Sequence, residues 1–391
     1  MDRILNPFSP GAGAPPPELV GRGPILEQAE VLFARVIAGR TERSMLMTGL
    51  RGVGKTVLLN EIARMASQTA FHTIYLEAPE DKGLPDMLAP KLRTLLYDLD
   101  RIQGISEKVK RSLRVFRAWL GTPQVTVNDV TFGLGYDPEV GVADSGDLES
   151  DLGSLFEAIA EAAQDRGRGV ALLIDEVQYL SPVELRALIV AMHRMQQRRL
   201  PFVFVGAGLP TLPGLAGDAK SYAERLFQYP VVGALSKEHS FEALVEPVQS
   251  LQADFTEEAL EEIFSQTDGY PYFLQEWGYQ CWNIASASPI NLDDVRQATK
   301  RVIPRLDESF FRVRYDRLTP AERRYLRAMA ELPQPCKSGD VASLLNVKTT
   351  SMGPIRAQLM SKGMVYSPAH GDLAYTVPLF GDFMRRAMPW P

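Results

Sequence analysis

The feature that most narrows what this chain can fold into is Gly49-Leu50-Arg51-Gly52-Val53-Gly54-Lys55-Thr56, set between two segments of different character. Before it, Ser44-Met45-Leu46-Met47-Thr48 is short and apolar, as a parallel strand buried on both faces must be. After it, Val57, Leu58, Leu59, Ile62, Ala63 and Met65 recur at helical spacing. A strand that feeds a helix through G-x-x-x-x-G-K-T suits one ligand chemistry. Glycines let the backbone curl so that successive N–H groups converge on phosphate oxygens, and the helix adds the positive end of its dipole. In such a loop Lys55 reaches the β- and γ-phosphates of a nucleotide and the Thr56 hydroxyl holds Mg2+.

Leu172-Leu173-Ile174-Asp175-Glu176 supplies the second half of the chemistry. An apolar strand ending in a carboxylate presents Asp175 at the sheet edge, where it binds Mg2+ through water. Glu176 then stands where it orients or deprotonates an attacking water. The adjacent glutamate favours ATP over GTP hydrolysis, and no N-K-x-D guanine-reading motif argues otherwise. The separation of 120 residues between Lys55 and Asp175 leaves room for an insertion, placed at 83–148.

Around these motifs, apolar runs at 72–77, 170–174, 202–205 and 227–232 alternate with helical patterns, which predicts a parallel sheet covered on both faces. Residues 124–145 read either as a β-hairpin or as a loop. The proline-rich stretch 1–19 reads as an extended arm. The chain then divides into an α/β core at 20–235, a helical segment at 236–318, with Asn291 as a candidate N-cap, and a third region at 319–391. That last region predicts three helices and a hairpin turning at Gly371-Asp372, the pattern of a winged helix.

Composition sets the outer limits. Of 391 residues, 45% are hydrophobic and 9% aromatic, enough for packed cores rather than a disordered chain. No run of 18 apolar residues occurs, and Met1-Asp2-Arg3 opens no apolar leader, so neither membrane span nor secretory signal is expected. Two cysteines, Cys281 and Cys336, are too few for a disulfide framework or a zinc site, and a cytoplasmic setting follows as the expectation. The net charge of −6 is uneven. Residues 319–391 hold nine Lys/Arg and five Asp/Glu, a net of +4, against −10 for the remainder. A basic end on an acidic body fits a nucleic-acid-binding appendage, and equally a lightly charged solvated domain.

With these motifs in place the sequence resembles the AAA+ ATPases, particularly the origin-initiator-like group and the related archaeal-type, STAND-like ATPases. The resemblance implies a P-loop core, a helical lid and a C-terminal winged helix, with ATP and Mg2+ as ligands and homo-oligomers as the working form. Leu19-Val20-Gly21-Arg22 before the first helix is similar to the segment that lies against adenine in these families, which implies nucleotide contact for Val20, Gly21 and Arg22. Gly269-Tyr270-Pro271 looks like the lid module that opens a helix near the nucleotide, implicating Gly269 and Pro271. The nucleotide set then comprises these residues with Gly49, Arg51, Gly52, Val53, Gly54, Lys55, Thr56 and Val57. Two departures stand out: strand four runs into Gly206-Ala207-Gly208, with no polar sensor, and the lid module carries no arginine. Both suit a slow switch rather than a fast motor.

Arg225 lies between strands four and five by this reading. It serves either as an arginine finger for a neighbouring subunit or as a surface cation paired with Glu224 or Glu242. In the third region, Thr349, Thr350, Ser351, Arg356 and Lys362 fall on the expected recognition helix, where hydroxyls and spaced cations suit DNA phosphates. The alternative is a winged helix that contacts a protein partner. His72, His193, His239 and His370 have no metal-ligand spacing.

Overall fold

The computed structural model describes all residues except 12–15, 17–18, 80–81, 102–105, 124, 126–136, 370 and 391. Most of the stretch with two readings, 124–145, therefore lies outside the described residues, as does His370. Two compact units emerge. One comprises Arg22–Gly49 and Lys55–Val231, the other Met1–Gly21, Leu50–Gly54 and Val232–Pro391.

The first unit is built on five parallel strands: β1 (Ser44–Thr48), β2 (Phe71–Glu77), β3 (Gly169–Asp175), β4 (Phe202–Gly208) and β5 (Phe227–Gln228), in the order β2-β3-β4-β1-β5. Every residue of β1, β3 and β4 is buried, which is why these strands read as unbroken apolar runs instead of alternating ones. Alternate side chains serve opposite faces. Val170, Leu172 and Ile174 of β3 join Phe202 and Phe204 of β4 in one core with the helices Leu148–Asp165 and Pro182–Gln197. The helices Leu84–Arg101 and Glu107–Leu120, inside the expected insertion, add Leu92, Leu96, Phe116 and Trp119 to that same core. They are part of the domain's packing rather than an appendage. The helix Lys55–Gln68 packs on β2, β3 and β4, and Gly23–Ile37 on it and β4.

Register decides where chemistry can gather. Thr48 of β1 lies opposite Gly208 of β4, and Ile174 of β3 opposite Gly206. The carboxyl ends of β1, β3 and β4 therefore finish together, at the edge where open α/β sheets bind ligands.

In the second unit the helices Lys237–Gln249, Glu257–Thr267, Pro271–Ile284 and Leu292–Arg305 precede a π-helical turn at Leu306–Phe311 and a short helix, Arg312–Asp316. Asn291 caps Leu292–Arg305, accepting from the N–H groups of Asp293 and Asp294. Three more helices follow, Pro320–Met329, Ser338–Leu344 and Thr349–Ser361, with β6 (Cys336–Lys337), β7 (Val365–Tyr366) and β8 (Asp372–Tyr375) in the antiparallel order β6-β8-β7. A final helix, Phe380–Ala387, stacks Phe383 on Phe311 at 5.3 Å between ring centroids. One aromatic core thus joins segments that the sequence separates into lid and terminal region. Residues 1–10 form neither helix nor strand but are anchored. Phe8 is buried, Asn6 Nδ2 donates to Tyr279 O at 3.0 Å, and Trp282 Nε1 donates to Asp2 O at 2.7 Å. Among the described residues no helix is long and apolar enough to cross a membrane. Cys281 and Cys336 are both buried and free.

Candidate functional site

The loop after β1 begins with Gly49, whose N–H donates to Gly208 O at 3.1 Å, fixing the loop's root to the end of β4. Gly52 and Gly54 adopt φ of +85° and +92°, a region in which side chains other than glycine's are strained, and the backbone turns through them into the helix Lys55–Gln68. Lys55 is buried, and its Nζ donates to Gly49 O at 3.0 Å, so the ammonium folds back across the loop that carries it. Val53 is buried, whereas Val57 is half-buried on the first turn of the helix.

Thr56 Oγ1 donates to Asp175 Oδ2 at 2.6 Å. This bond brings together the two motifs that lie 119 residues apart. Burial raises the Asp175 carboxyl above its usual range, against the opposing pull of the bonds from Thr56 and from the Glu176 N–H and of the nearby Lys55 charge. A buried carboxylate bonded to a hydroxyl is a donor pair of the hard, oxygen-only kind that suits Mg2+. The residues present fit that ion.

Glu176 follows in a left-handed conformation, φ +53°, uncommon for a residue with a side chain. Its N–H donates to Asp175 Oδ1 at 2.8 Å, and its carbonyl accepts from Tyr179 at 2.9 Å, closing the short turn Val177–Tyr179. Gln178 on that turn donates through Nε2 to the Glu176 carboxylate and accepts through Oε1 from the N–H of Leu209, at 3.1 Å. Gln178 belongs to no motif, and sequence reasoning misses it. The signals that mark it are its place two residues after Glu176 and the glycines at the end of β4.

Arg22 caps the Gly23–Ile37 helix without a side-chain bond to it, and burial lowers its pKa. Arg225 sits exposed on the short helix Ala223–Leu226, and among the described residues no ion pair joins it to Glu224 beside it.

In the second unit, Gly21 turns at φ +70°, where a Cβ would lie 2.9 Å from His239 Nδ1. Gly269, at φ +68°, passes so close to the Leu235 carbonyl that a Cβ would stand 2.2 Å from its oxygen. It accepts from Leu235 N–H at 2.8 Å, and Pro271 then starts the helix Pro271–Ile284. The loop residues of this unit meet the same segment. Tyr272 N–H donates to Gly52 O at 3.3 Å, and a Cβ on Gly52 would stand 3.0 Å from the Tyr270 ring. Arg51 lies against Gly363, just past the helix Thr349–Ser361, with Nη2 3.0 Å from where a Cβ would be.

The structure corrects one expectation. Lys362 reads in the sequence as a phosphate-facing cation, but its Nζ donates to Glu322 Oε2 at 2.7 Å and to Arg317 O at 3.1 Å. Glu322 is buried within the capping box of Pro320–Met329, and a buried carboxylate requires a partner. Thr349, Thr350 and Ser351 remain exposed at the start of their helix, as does Lys348 beside them, while Arg356 is half-buried.

A parallel α/β sheet with a glycine loop after β1 and an acid pair at the end of β3 defines the core as a P-loop NTPase fold. Residues 18–205 match the family described as an AAA ATPase domain, and residues 308–384 match a domain of unknown function, DUF8462. Among curated proteins, the chain is 24% identical over 212 residues to an uncharacterized HTH-type transcriptional regulator of Methanocaldococcus jannaschii, a match that takes in 52% of this chain and 51% of the relative. It thus spans about half the length of that relative. Among solved structures, the Walker-type ATPase of Pyrococcus abyssi shares the fold, with a TM-score of 0.60 at 16% identity over 94% of this chain and 96% of that one. Cdc6p from Pyrobaculum aerophilum reaches a TM-score of 0.48 at 16% identity, over 99% of each chain.

Proposed function

We propose that this chain binds and slowly hydrolyses ATP, and that it is an AAA+-like switch coupling nucleotide state to self-assembly and to contact with duplex DNA. The observation that carries the reading is the 2.6 Å bond from Thr56 to Asp175, with Glu176 next in the chain. In this reading Gly49, Arg51, Gly52, Val53 and Gly54 offer backbone to the phosphates, and Lys55 turns from Gly49 O to a phosphate oxygen. Val57 follows on the same helix. Mg2+, held by Thr56 and Asp175, supplies charge neutralisation of the phosphates when bound. Glu176 accepts the proton of the attacking water at its carboxylate, and Arg225 of one copy completes the site of the next. Val20, Gly21 and Arg22 are assigned to contacts with the nucleotide's base, and Gly269 and Pro271 to lid contacts.

DNA contact is assigned to the basic end of the chain, read as a winged helix, through residues 349–362 and the wing. The exposed hydroxyls of Thr349, Thr350 and Ser351 support it, as does the partial likeness to a protein whose name describes an HTH-type regulator. A second reading, a STAND-like signalling ATPase whose terminal region contacts protein, draws on a different observation. Arg51 of the glycine loop is seated against Gly363, and Lys362 is consumed by Glu322, so this region engages the loop while offering one cation fewer to DNA.

Two variants test the ATPase reading. Lys55→Ala removes the phosphate-binding ammonium, and ATP affinity measured by calorimetry should fall at least about tenfold, the scale of a charge-assisted bond. Glu176→Gln should keep that affinity and lower kcat by about 100-fold or more, the range of a positioned general base. Wild-type turnover by Glu176→Gln would remove Glu176 from the role of base.

A further inference from the structure

Strand four ends in Gly206-Ala207-Gly208, and the structure shows what occupies the place where a polar side chain on that strand would stand. A Cβ on Gly208 would lie 2.7 Å from Gln178 Oε1, and one on Gly206 would lie 3.0 Å from Val177 Cγ2 and 2.6 Å from Leu46 Cδ2. The missing side chains admit the turn Val177–Tyr179 against the strand. The Gln178 amide then bonds at both ends, accepting from Leu209 N–H at 3.1 Å and donating to the Glu176 carboxylate. A backbone N–H needs an acceptor and a carboxylate needs a donor, so the two partners dictate which way round the amide sits.

We propose that Gln178 is the positioning residue for Glu176: its amide ties the carboxylate to the end of β4, and Gly208 is the position that gives the amide room. Because β4 lies between the strand that leads into the glycine loop and the strand that carries the acids, the tie holds the carboxylate in the frame of both. Glu176 sits on a left-handed residue at the start of a single tight turn, where its backbone is held but its side chain still has rotamers to choose among. The Gln178 donor selects one. A base displaced by about 1 Å from its water loses on the order of 100-fold in rate, so a bond of this kind is worth that much without touching the substrate. The proposal rests on the ATPase reading above.

The test compares four full-length proteins by steady-state ATPase kinetics, ATP calorimetry and amide hydrogen exchange at Leu209. Gln178→Met removes both bonds at similar length. It should lower kcat roughly ten- to a hundredfold and leave the ATP Kd within about twofold, because the tie acts on the base and not on phosphate binding. Its Leu209 amide should exchange faster than in the wild type. Gln178→Glu keeps an acceptor for Leu209, so protection should persist while kcat falls, since an anion now faces Glu176. Gly208→Ala leaves Gln178 in the chain but displaces its amide, and should reproduce the Met variant in both readouts. Wild-type kcat in the Met and Gly208→Ala proteins would overturn the proposal, as would a rise in kcat or a loss of ATP affinity equal to the loss of rate. If the wild type binds ATP without hydrolysing it, while Leu209 is protected in a Gln178-dependent way, the hydrolysis reading is what has failed, and the positioning role falls with it.

Discussion

Replacing Phe8 by alanine should destabilise the unit that contains it far more than its place in a proline-rich leader suggests. The ring is 2% exposed, whereas Ile4, four residues earlier, is 91% exposed. Phe8 lies on the helix Pro271–Ile284 at Gly278, where a Cβ would come within 2.7 Å of ring atoms Cδ1 and Cε1. Removing a buried Phe side chain costs about 3–5 kcal/mol, so Phe8→Ala should fall in that range and Ile4→Ala within about 0.5 kcal/mol of the wild type. Gly278 offers a second handle on the same contact. Gly278→Ala gains up to about 1 kcal/mol of helix propensity, but in the wild type the new methyl meets the ring, a collision that costs about 1–3 kcal/mol. In the Phe8→Ala background the collision is gone, and Gly278→Ala should become stabilising. Trp277 and Trp282 on the same helix report the transition, in a background with Trp119 and Trp390 replaced by Phe so that they alone fluoresce. Guanidinium midpoints of the four proteins close the double-mutant cycle. Additivity within about 0.5 kcal/mol, or a cost for Phe8→Ala no larger than for Ile4→Ala, would refute the seating of Phe8 on Gly278.

Two further outcomes are expected of the proposed switch. If Arg225 completes a neighbour's site, turnover per subunit should rise with protein concentration. Arg225→Ala should then stay folded yet hydrolyse about 1000-fold more slowly, the lower range for an arginine finger, and mixing it with Glu176→Gln protein should recover part of the rate; concentration-independent turnover by a monomer would exclude the finger. If residues 348–356 touch duplex DNA, replacing Lys348 and Arg356 by Ala should weaken binding and flatten the plot of log affinity against log salt by roughly 0.9 for each phosphate no longer neutralised, with ATP affinity unchanged. Lys362→Ala should instead lower stability, because it leaves the buried Glu322 carboxylate without its cation, the Thr319 N–H still donating to it; no duplex binding in any nucleotide state would favour the signalling reading.

What the sequence determined by itself was local or periodic. Glycines at 49, 52 and 54 followed by Lys55 and Thr56 state a backbone shape and a ligand chemistry within eight residues, and unbroken apolar runs state a strand buried on both faces. The capping of the helix at Asn291 is equally local, a side chain meeting N–H groups two and three residues on. Tertiary structure decided whatever depended on distant residues sharing one place. Lys362 looks like a free cation on a helix end until the buried Glu322 claims it, and Phe8 looks like leader until Gly278 opens a socket for its ring. Gln178 carries no motif of its own, and Gly208 reads in the sequence only as a missing sensor. Their pairing exists because parallel register brings the end of β4 level with the turn after β3. A residue's neighbours in the chain set its conformational choices, but the partner of a charge or an amide is set by the register and packing of elements far apart in the chain.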